Sequence, residues 1–285
     1  PPPPPPPFQA EDGIRDLASS LVGSEMCIRD SSKGKGDGGL HHRTVWIMVT
    51  HSDDAHQDGE GHAEIRLHYE EQHEQIRSGL VEMTSLVLEN ARRAGEVVIG
   101  NRLDLVDVVR EADKPINALY ADLHDLAFNI LARQQPVAVD LRFLIATTRI
   151  LYEAERSGDL AVNIVNRVAA HNGFPQIPAI HSLLTRLVEE SCAMFGQAVE
   201  ALESFDPDIG ANAEAADDVV DTTTTRFFGT VHAHSTEIGL ESAVELTHVG
   251  RFLERIADHG VNIAQNVTYI VTAVFPDAED TDATG

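Results

Sequence analysis

The stretch ERSGDLAVNI, Glu155–Ile164, recurs ninety-nine residues later as ERIADHGVNI, Glu254–Ile263. Six of the ten positions are identical: Glu, Arg, Asp, Val, Asn and Ile. In each copy the Glu and the Asp are four residues apart, so both carboxylates lie on one face if the segment is helical. Because the chain contains this acidic stretch twice, the sequence predicts an internal duplication with one copy of the stretch in each half.

The composition is strongly acidic and poor in aromatic residues. The 285 residues include 21 Lys and Arg against 46 Asp and Glu, which gives a formal net charge of −25. This balance opposes binding to nucleic acid or to an anionic membrane, since both need a basic surface. The two Cys residues are too few for a disulfide framework, and no apolar run reaches the roughly 18–20 residues that span a bilayer. We therefore expect a cytoplasmic helical protein that binds no nucleic acid and does not insert into a membrane.

The first residues resemble neither a folded protein nor a signal peptide. The segments QAEDGIRD and LVGSEMCIRD, within residues 9–30, are similar to translations of sequencing-library adapters. We therefore expect residues 1–31 to be an adapter translation artefact and residues 32–62 to be a disordered leader and N-terminal tail. Met48 is then the expected start of the native chain.

From Ala63 onward apolar residues recur every three or four positions, which indicates amphipathic helices separated by Gly and Pro breaks. The second predicted helix contains Pro115, where it should start late or kink. Short connections favour antiparallel neighbours, so the expected fold is all-α with two tandem three-helix bundles, over residues 63–173 and 178–274, and an acidic tail over residues 275–285. The six helices are predicted over about residues 63–100, 103–133, 137–172, 179–204, 209–232 and 235–273.

A second pair of oxygen-bearing side chains precedes each copy of the repeated stretch. Asp113 and Asn117 lie on the second predicted helix, and Asp217 and Asp221 on the fifth. Counted from the intervening turn at about 1.5 Å per residue, each pair is nearly level with the carboxylates of the next helix. Each bundle should therefore bring three or four oxygen ligands together, a set that suits Mg²⁺, Mn²⁺, Ca²⁺ or iron. The predicted metal ligands are Asp113, Asn117, Glu155, Asp159, Asp217, Asp221, Glu254 and Asp258, and the amide of Asn117 weakens the first set.

Two other interpretations of these acids stay open. Glu and Asp at this spacing are common on solvated helix faces, so in one alternative the acids are solvated and bind no metal. In the other, the chain is a di-iron carboxylate bundle, which uses Glu-x-x-His pairs. Such pairs occur at Glu70 and His73 and at Glu245 and His248, although they do not correspond under the repeat. His259, beside the second carboxylate pair, is predicted to support the metal ligands without binding the metal.

Motifs for nucleotide binding, serine hydrolysis and zinc proteolysis are absent from the sequence. Two longer stretches instead resemble the PhoU family of bacterial phosphate-transport accessory and regulatory proteins. ARQQPVAVDLRFLIATTRILYEAERSGDLAVNI, Ala132–Ile164, resembles the central signature of that family, and HVGRFLERIADHGVNIAQNVTYIV, His248–Val271, resembles its C-terminal signature. The resemblance covers about residues 64–274.

This resemblance implies two PhoU bundles related by pseudo-twofold symmetry, with iron, zinc, magnesium or manganese bound at the paired acids. It also implies a non-enzymatic, often dimeric, cytoplasmic protein that negatively regulates the phosphate-starvation response. Its partners would be the ATPase of the phosphate ABC transporter and the phosphate-sensing histidine kinase. A bundle-type metal-dependent enzyme or a metal-storage protein is the alternative function.

Overall fold

The computed structural model describes the backbone of residues 59–276, which belong to one compact unit. Side chains are described from residue 69 onward, except at residues 214–216. The expectations for residues 1–31, and for the greater part of the predicted N-terminal and C-terminal tails, lie outside the described residues. A short 3-10 helix, Leu103–Leu105, follows the first of the α-helices, which are α1 (Gly59–Gly100), α2 (Val106–Gln134), α3 (Ala138–Ala170), α4 (Pro178–Ser204), α5 (Pro207–Ala233), α6 (Ser235–Ile238) and α7 (Leu240–Thr272).

The predicted helices are observed, with three differences at their ends and breaks. Helix α1 begins at Gly59, so its first turn falls in the segment that we expected to be a tail; the helix formers Glu60 and Ala63 favour this extension. Helix α2 starts at Val106 and continues through Pro115, so the expected late start is wrong. Pro115 has no N–H to donate to the carbonyl group of Glu111, one turn earlier. Both residues are exposed, so water can bind that carbonyl group instead.

The sixth predicted helix is divided in two by Gly239. This residue has a φ of 84° and a ψ of 147°, a conformation outside the helical region that glycine adopts without a steric penalty. The break separates the single turn of α6 from the long helix α7, so only α7 corresponds to α3 in the first half of the chain.

The described helices form two three-helix bundles that share a central layer. In the first bundle α1, α2 and α3 pack on one another, and in the second bundle α4, α5 and α7 do so. The bundles join through α1 against α4 and through α3 against α7. Helices α2 and α5 are therefore edge helices, each held by its own bundle. None of the helices in this part of the chain has the length and hydropathy to cross a membrane.

The core is continuous across the two bundles. Leu80 and Met83 of α1, Leu144 of α3 and Phe195 of α4 are fully buried and belong to one apolar cluster with residues of α7. Burial of such side chains contributes roughly 1.5–3 kcal/mol each. The two bundles are thus expected to unfold together.

Helix α5 lies close against α7 at Gly210. A Cβ atom at this position would overlap the Ala264 carbonyl oxygen and the Thr268 hydroxyl oxygen. That hydroxyl donates a hydrogen bond of 2.7 Å to the Pro207 carbonyl oxygen. The absent side chain therefore sets the distance between an edge helix and the central layer.

We predict that Gly210→Ala lowers the free energy of unfolding by about 1–3 kcal/mol, because α5 must move away from α7 to accept the methyl group. Gly229→Ala on the same helix is the matched control, since its Cβ would meet no atom within 4 Å. The control should stabilise the chain by up to about 1 kcal/mol through helix propensity. Urea unfolding followed by circular dichroism measures both changes. Equal effects from the two variants would contradict the close approach.

Candidate metal centres

The two copies of the repeated stretch meet at the middle of the α3–α7 interface. Ser157 Oγ lies 3.0 Å from His259 Nδ1, and Ser157 is fully buried. Toward one end of the interface Arg142 donates to the Ile270 carbonyl oxygen. The contacts therefore run in opposite directions along the two helices, which shows that α3 and α7 are antiparallel and that each motif packs on the other.

Packing on this face turns the carboxylates of each motif away from the interface. Glu155 and Asp159 face α2, and Glu254 and Asp258 face α5, as their electrostatic partners on those helices show. The two sets of predicted ligands are therefore brought together within each bundle, at the contact between its edge helix and its third helix. We call these contacts the first and the second carboxylate cluster.

The first carboxylate cluster consists of Asp113, Asn117, Glu155 and Asp159. The Asn117 Nδ2 group donates a hydrogen bond of 2.7 Å to Asp113 Oδ2. Burial, and the negative charges of Asp159 and Asp113, raise the pKa of Glu155. Burial, together with the charge of Asp159, likewise raises the pKa of Asp113 against the effect of the Asn117 hydrogen bond. The three carboxylates thus repel one another, and Asn117 relieves part of that repulsion.

Gly158 allows α2 and α3 to approach at this cluster. A Cβ at position 158 would lie 2.8 Å from Asp113 Oδ1 and 3.5 Å from a methyl group of Ile116. Asp113 is 9% exposed, and its Oδ1 atom is buried without a hydrogen-bond partner. An ionised carboxylate oxygen in that position is costly unless a cation or a donor reaches it.

The second carboxylate cluster consists of Asp217, Asp221, Glu254 and Asp258. Burial and the charges of Asp217 and Glu254 raise the pKa of Asp258 to about 6. Arg251 forms an ion pair with Glu254 Oε1, and its guanidinium also attracts Asp258 and Asp221. The other oxygen, Glu254 Oε2, is buried without a hydrogen-bond partner. This cluster has one carboxylate more than the first, and its cation, Arg251, is held more closely than Arg156 is held in the first.

The carboxylates stand apart in the conformation described. Across the residues with described side chains, no group of three His, Cys, Asp or Glu is arranged to hold a metal ion. The Asn117 amide and the Arg251 guanidinium each occupy an oxygen that a metal would need. The donor set nevertheless fits a hard cation, because it consists of oxygen atoms and includes the unpaired oxygens of Asp113 and Glu254.

Comparisons with known proteins agree with the duplicated architecture. The family model described as PhoU domain matches twice, at residues 80–168 and 184–267. The chain belongs to the PhoU family. A PhoU homologue of Synechocystis sp., named "Phosphate-specific transport system accessory protein PhoU homolog", is 31% identical over 208 residues, which cover 73% of this chain and 92% of that protein. The resemblance to PhoU signatures in the sequence is thereby confirmed.

Solved PhoU structures have the same fold. PhoU from Pseudomonas aeruginosa matches with a TM-score of 0.68 and 27% identity over 72% of this chain and 100% of that chain. The regulatory protein PhoU from Streptococcus pneumoniae matches with a TM-score of 0.65 at 18% identity, over 73% of this chain and 98% of that chain. The all-α prediction of tandem three-helix bundles is therefore confirmed for this PhoU-family chain.

The Glu-x-x-His pairs of the di-iron alternative do not form a shared centre in the described residues. Glu245 accepts a hydrogen bond of 2.6 Å from Arg167 of α3, with His248 3.6 Å away. His73 stacks on Phe143, with ring centroids 4.7 Å apart. Glu245 therefore stabilises the α3–α7 interface. His73 and His248 lie on different helices of different bundles.

His259 has a structural role that its position beside Asp258 did not indicate. Its ring points into the α3–α7 interface, where Nε2 lies 3.6 Å from Glu153 Oε2. Burial and the charges of Arg255 and Arg156 lower the pKa of His259 to about 4. The Ser157 hydroxyl donates to the Glu153 carbonyl oxygen and also contacts His259 Nδ1. His259 supports the interface and not the carboxylates.

Sequence reasoning also missed Arg251. Under the repeat its position corresponds to Tyr152, so the duplication gave no reason to expect a cation there. Its spacing of three residues from Glu254 on a helix was the available signal. In the first cluster Arg156 lies 3.7 Å from Glu155 and 4.0 Å from Asp159.

We predict that Asp258→Asn stabilises the metal-free protein at pH 7. The pKa of Asp258 is about 6 in the folded chain and 3.8 ordinarily. The folded state therefore binds more protons between these values, and the free energy of unfolding falls as pH rises through that window. Removing the charge should restore about 1 kcal/mol at pH 7, less than the full shift because solvent partly screens the group. The gain should disappear near pH 4.

Thermal unfolding of both proteins between pH 4 and 7, in the presence of a chelator, measures this effect. Asp218→Asn, at an exposed position of α5, removes the same charge outside the cluster and should not reproduce the pH dependence. A destabilised Asp258→Asn protein at pH 7 would show that the second carboxylate cluster is held by attraction and would contradict the account of repulsion.

Proposed function

We propose that this chain is an accessory regulator of phosphate-specific transport that acts in the cytoplasm. The observation that carries the proposal is the PhoU match in both halves, together with relatives named as accessory proteins of phosphate-specific transport systems. In this role it couples the ATPase of the phosphate ABC transporter to the phosphate-sensing histidine kinase. It represses the phosphate-starvation response when phosphate is plentiful. The protein functions as a homodimer that docks onto these partners.

The chemistry of the described residues supports a non-enzymatic role. Ser157, His259 and Glu153 are close to one another, as in a hydrolase triad, but Ser157 is fully buried. Its hydroxyl is already engaged with the Glu153 carbonyl oxygen. The pKa of the Cys192 thiol is raised by burial to about 11, which makes it a poor nucleophile near neutral pH. These groups are components of the core.

We further propose that the carboxylate clusters bind metal cations. Asp113, Glu155 and Asp159, with the Asn117 oxygen, would hold a cation in the first cluster. Asp217, Asp221, Glu254 and Asp258 would do so in the second, after Arg251 turns outward; its side chain is 57% exposed and has room to move. The cation supplies the positive charge that allows the carboxylates to converge. Each edge helix would then be fastened more firmly to the central layer.

The ligands indicate the class of cation that would bind and do not select one metal. Oxygen atoms suit magnesium, manganese and iron, and zinc accepts carboxylates as well. A metal-storage protein or a bundle-type metal-dependent enzyme uses similar ligands. The regulatory role is preferred because Glu245, the acid of one Glu-x-x-His pair, is bound to Arg167 instead of facing the other pair.

A complementation experiment tests the regulatory proposal. In a bacterium that lacks its own PhoU-family protein, we expect this chain to restore repression of a phosphate-starvation reporter at high phosphate. The variant in which Glu155, Asp159, Glu254 and Asp258 are all changed to Ala should repress less, because without a bound cation the edge helices α2 and α5 are less firmly held. If the chain is produced as folded protein and leaves the reporter fully induced, in a host whose own family member restores repression, the proposed role is wrong.

A further inference from the structure

Three arginine side chains form a row on the outer side of α3. Arg142, Arg149 and Arg156 are each seven residues apart, and two helical turns bring such positions back to nearly the same side. Arg149 and Arg156 are exposed, and Arg142 is half-buried. This surface is opposite in sign to the chain as a whole, whose formal net charge is −25. We call these three residues the arginine row.

The charges of the arginine row are only partly neutralised by the part of the chain that the structure describes. Within that part, Arg156 alone of the row lies within 4.0 Å of carboxylates, those of the first carboxylate cluster. Arg142 donates to the Ile270 carbonyl oxygen, a neutral group. Arg149 lies over the Phe275 ring, 5.2 Å from its centroid. A carbonyl group and an aromatic ring leave the positive charge of a guanidinium available to an anion.

The chain turns back along α3 after the end of α7. Ala273 follows the helix in the left-handed conformation, with a φ of 66°. Helix α7 ends beside Arg142, whereas Phe275 lies beside Arg149, two helical turns further along α3. The chain after α7 therefore runs along the arginine row in the direction of Arg156.

Phe275 anchors this returning chain. Its ring stacks on Tyr269 of α7, with centroids 4.2 Å apart and an angle of 12° between the ring planes. On α3 the same ring contacts the Arg149 guanidinium. Because Pro276 follows, Phe275 favours an extended conformation, which directs the next residues onward along the surface.

The residues that follow Pro276 have the charge and the reach to meet the row. Four of the next six are acidic: Asp277, Glu279, Asp280 and Asp282. Arg156 lies about 10 Å beyond Arg149, at about 1.5 Å of helix per residue. Residues 277–280 span roughly 13 Å if they are extended, at about 3.3 Å each. Their carboxylates can therefore reach both arginines.

The second bundle has no matching row. Under the repeat the corresponding positions of α7 are Glu241, His248 and Arg255. An acid and a histidine therefore stand where the first half has two arginines. Of the two halves, the one that the returning chain contacts is the one with the complete row.

We propose that the acidic segment of residues 277–282 binds the arginine row of its own chain. Its carboxylates would pair with Arg149 and Arg156, while Phe275 holds the start of the segment in place. Exposed ion pairs are weak singly, but the covalent connection keeps the acids at a high effective concentration beside the row. The segment then excludes acidic segments of other proteins from the row until it is displaced. This inference does not depend on the proposed function.

Carbodiimide cross-linking of the full chain tests the proposal, since this reagent joins a lysine amine to a carboxylate that is in contact with it. In Arg149→Lys the amine replaces the guanidinium, and we expect mass spectrometry to identify a cross-link to residues 277–280. Lys114 and Glu111, whose Nζ and Oε2 atoms are 2.6 Å apart, give a positive control within the same chain. The matched control Arg226→Lys, at an exposed position of α5, should give no cross-link to that segment.

Adding Phe275→Ala to Arg149→Lys should lower the yield of the cross-link by about threefold or more, because loss of the anchor lowers the effective concentration of the acids. In a mixture of unlabelled and nitrogen-15-labelled chains, each cross-linked pair of peptides should carry a single isotope. The proposal is overturned if the positive control forms and Arg149→Lys gives no cross-link, or if Arg149→Lys and Arg226→Lys give equal yields. Pairs of mixed isotope would also overturn it, since the acids would then belong to a second copy.

Discussion

The antiparallel packing of α3 on α7 is the constraint on which the rest of the structure depends. Each helix has to use one side for the other bundle and a different side for its own edge helix. Ser157 and His259 meet in the middle of the interface, and Arg167 and Glu245 form an ion pair nearer one end. These contacts fix the rotation of both helices, and that rotation turns each Glu–Asp pair toward an edge helix. The duplicated stretch thus builds the interface and both carboxylate clusters.

Repulsion among the acids gives the two clusters different chemistry. The first replaces one carboxylate by the Asn117 amide, which donates to Asp113. The second keeps all four carboxylates and holds Arg251 beside them. Metal binding would have to displace the Asn117 amide from Asp113 in the first cluster and the closely paired Arg251 from Glu254 in the second. We therefore interpret the halves of the duplication as having diverged in how they balance charge, while their helices kept the same arrangement.

Much of the fold could be predicted from the sequence because apolar spacing determines which side of a helix is buried. The duplication also identified the elements that had to correspond, which placed Asp113 with Glu155 and Asp217 with Glu254. Features that depend on a single residue were harder to predict. The break at Gly239 follows from a positive φ, and glycine within a helical pattern does not specify that angle. His259 was predicted to support the metal ligands, but it points into the α3–α7 interface. One step along a helix turns a side chain by about 100°, so a neighbour of Asp258 in sequence faces a different direction.

The central claim is that the paired acids are ligands, and elemental mass spectrometry of purified protein tests it most directly. One variant removes the four motif carboxylates by changing them to Ala: Glu155, Asp159, Glu254 and Asp258. A charge-matched control changes four exposed acids outside the clusters to Ala: Glu189, Glu200, Glu203 and Glu237. The account predicts stoichiometric metal in the wild type and the control, and its loss in the first variant with helical content retained. Equal metal in all three proteins, or none in any after incubation with iron or manganese, would contradict it.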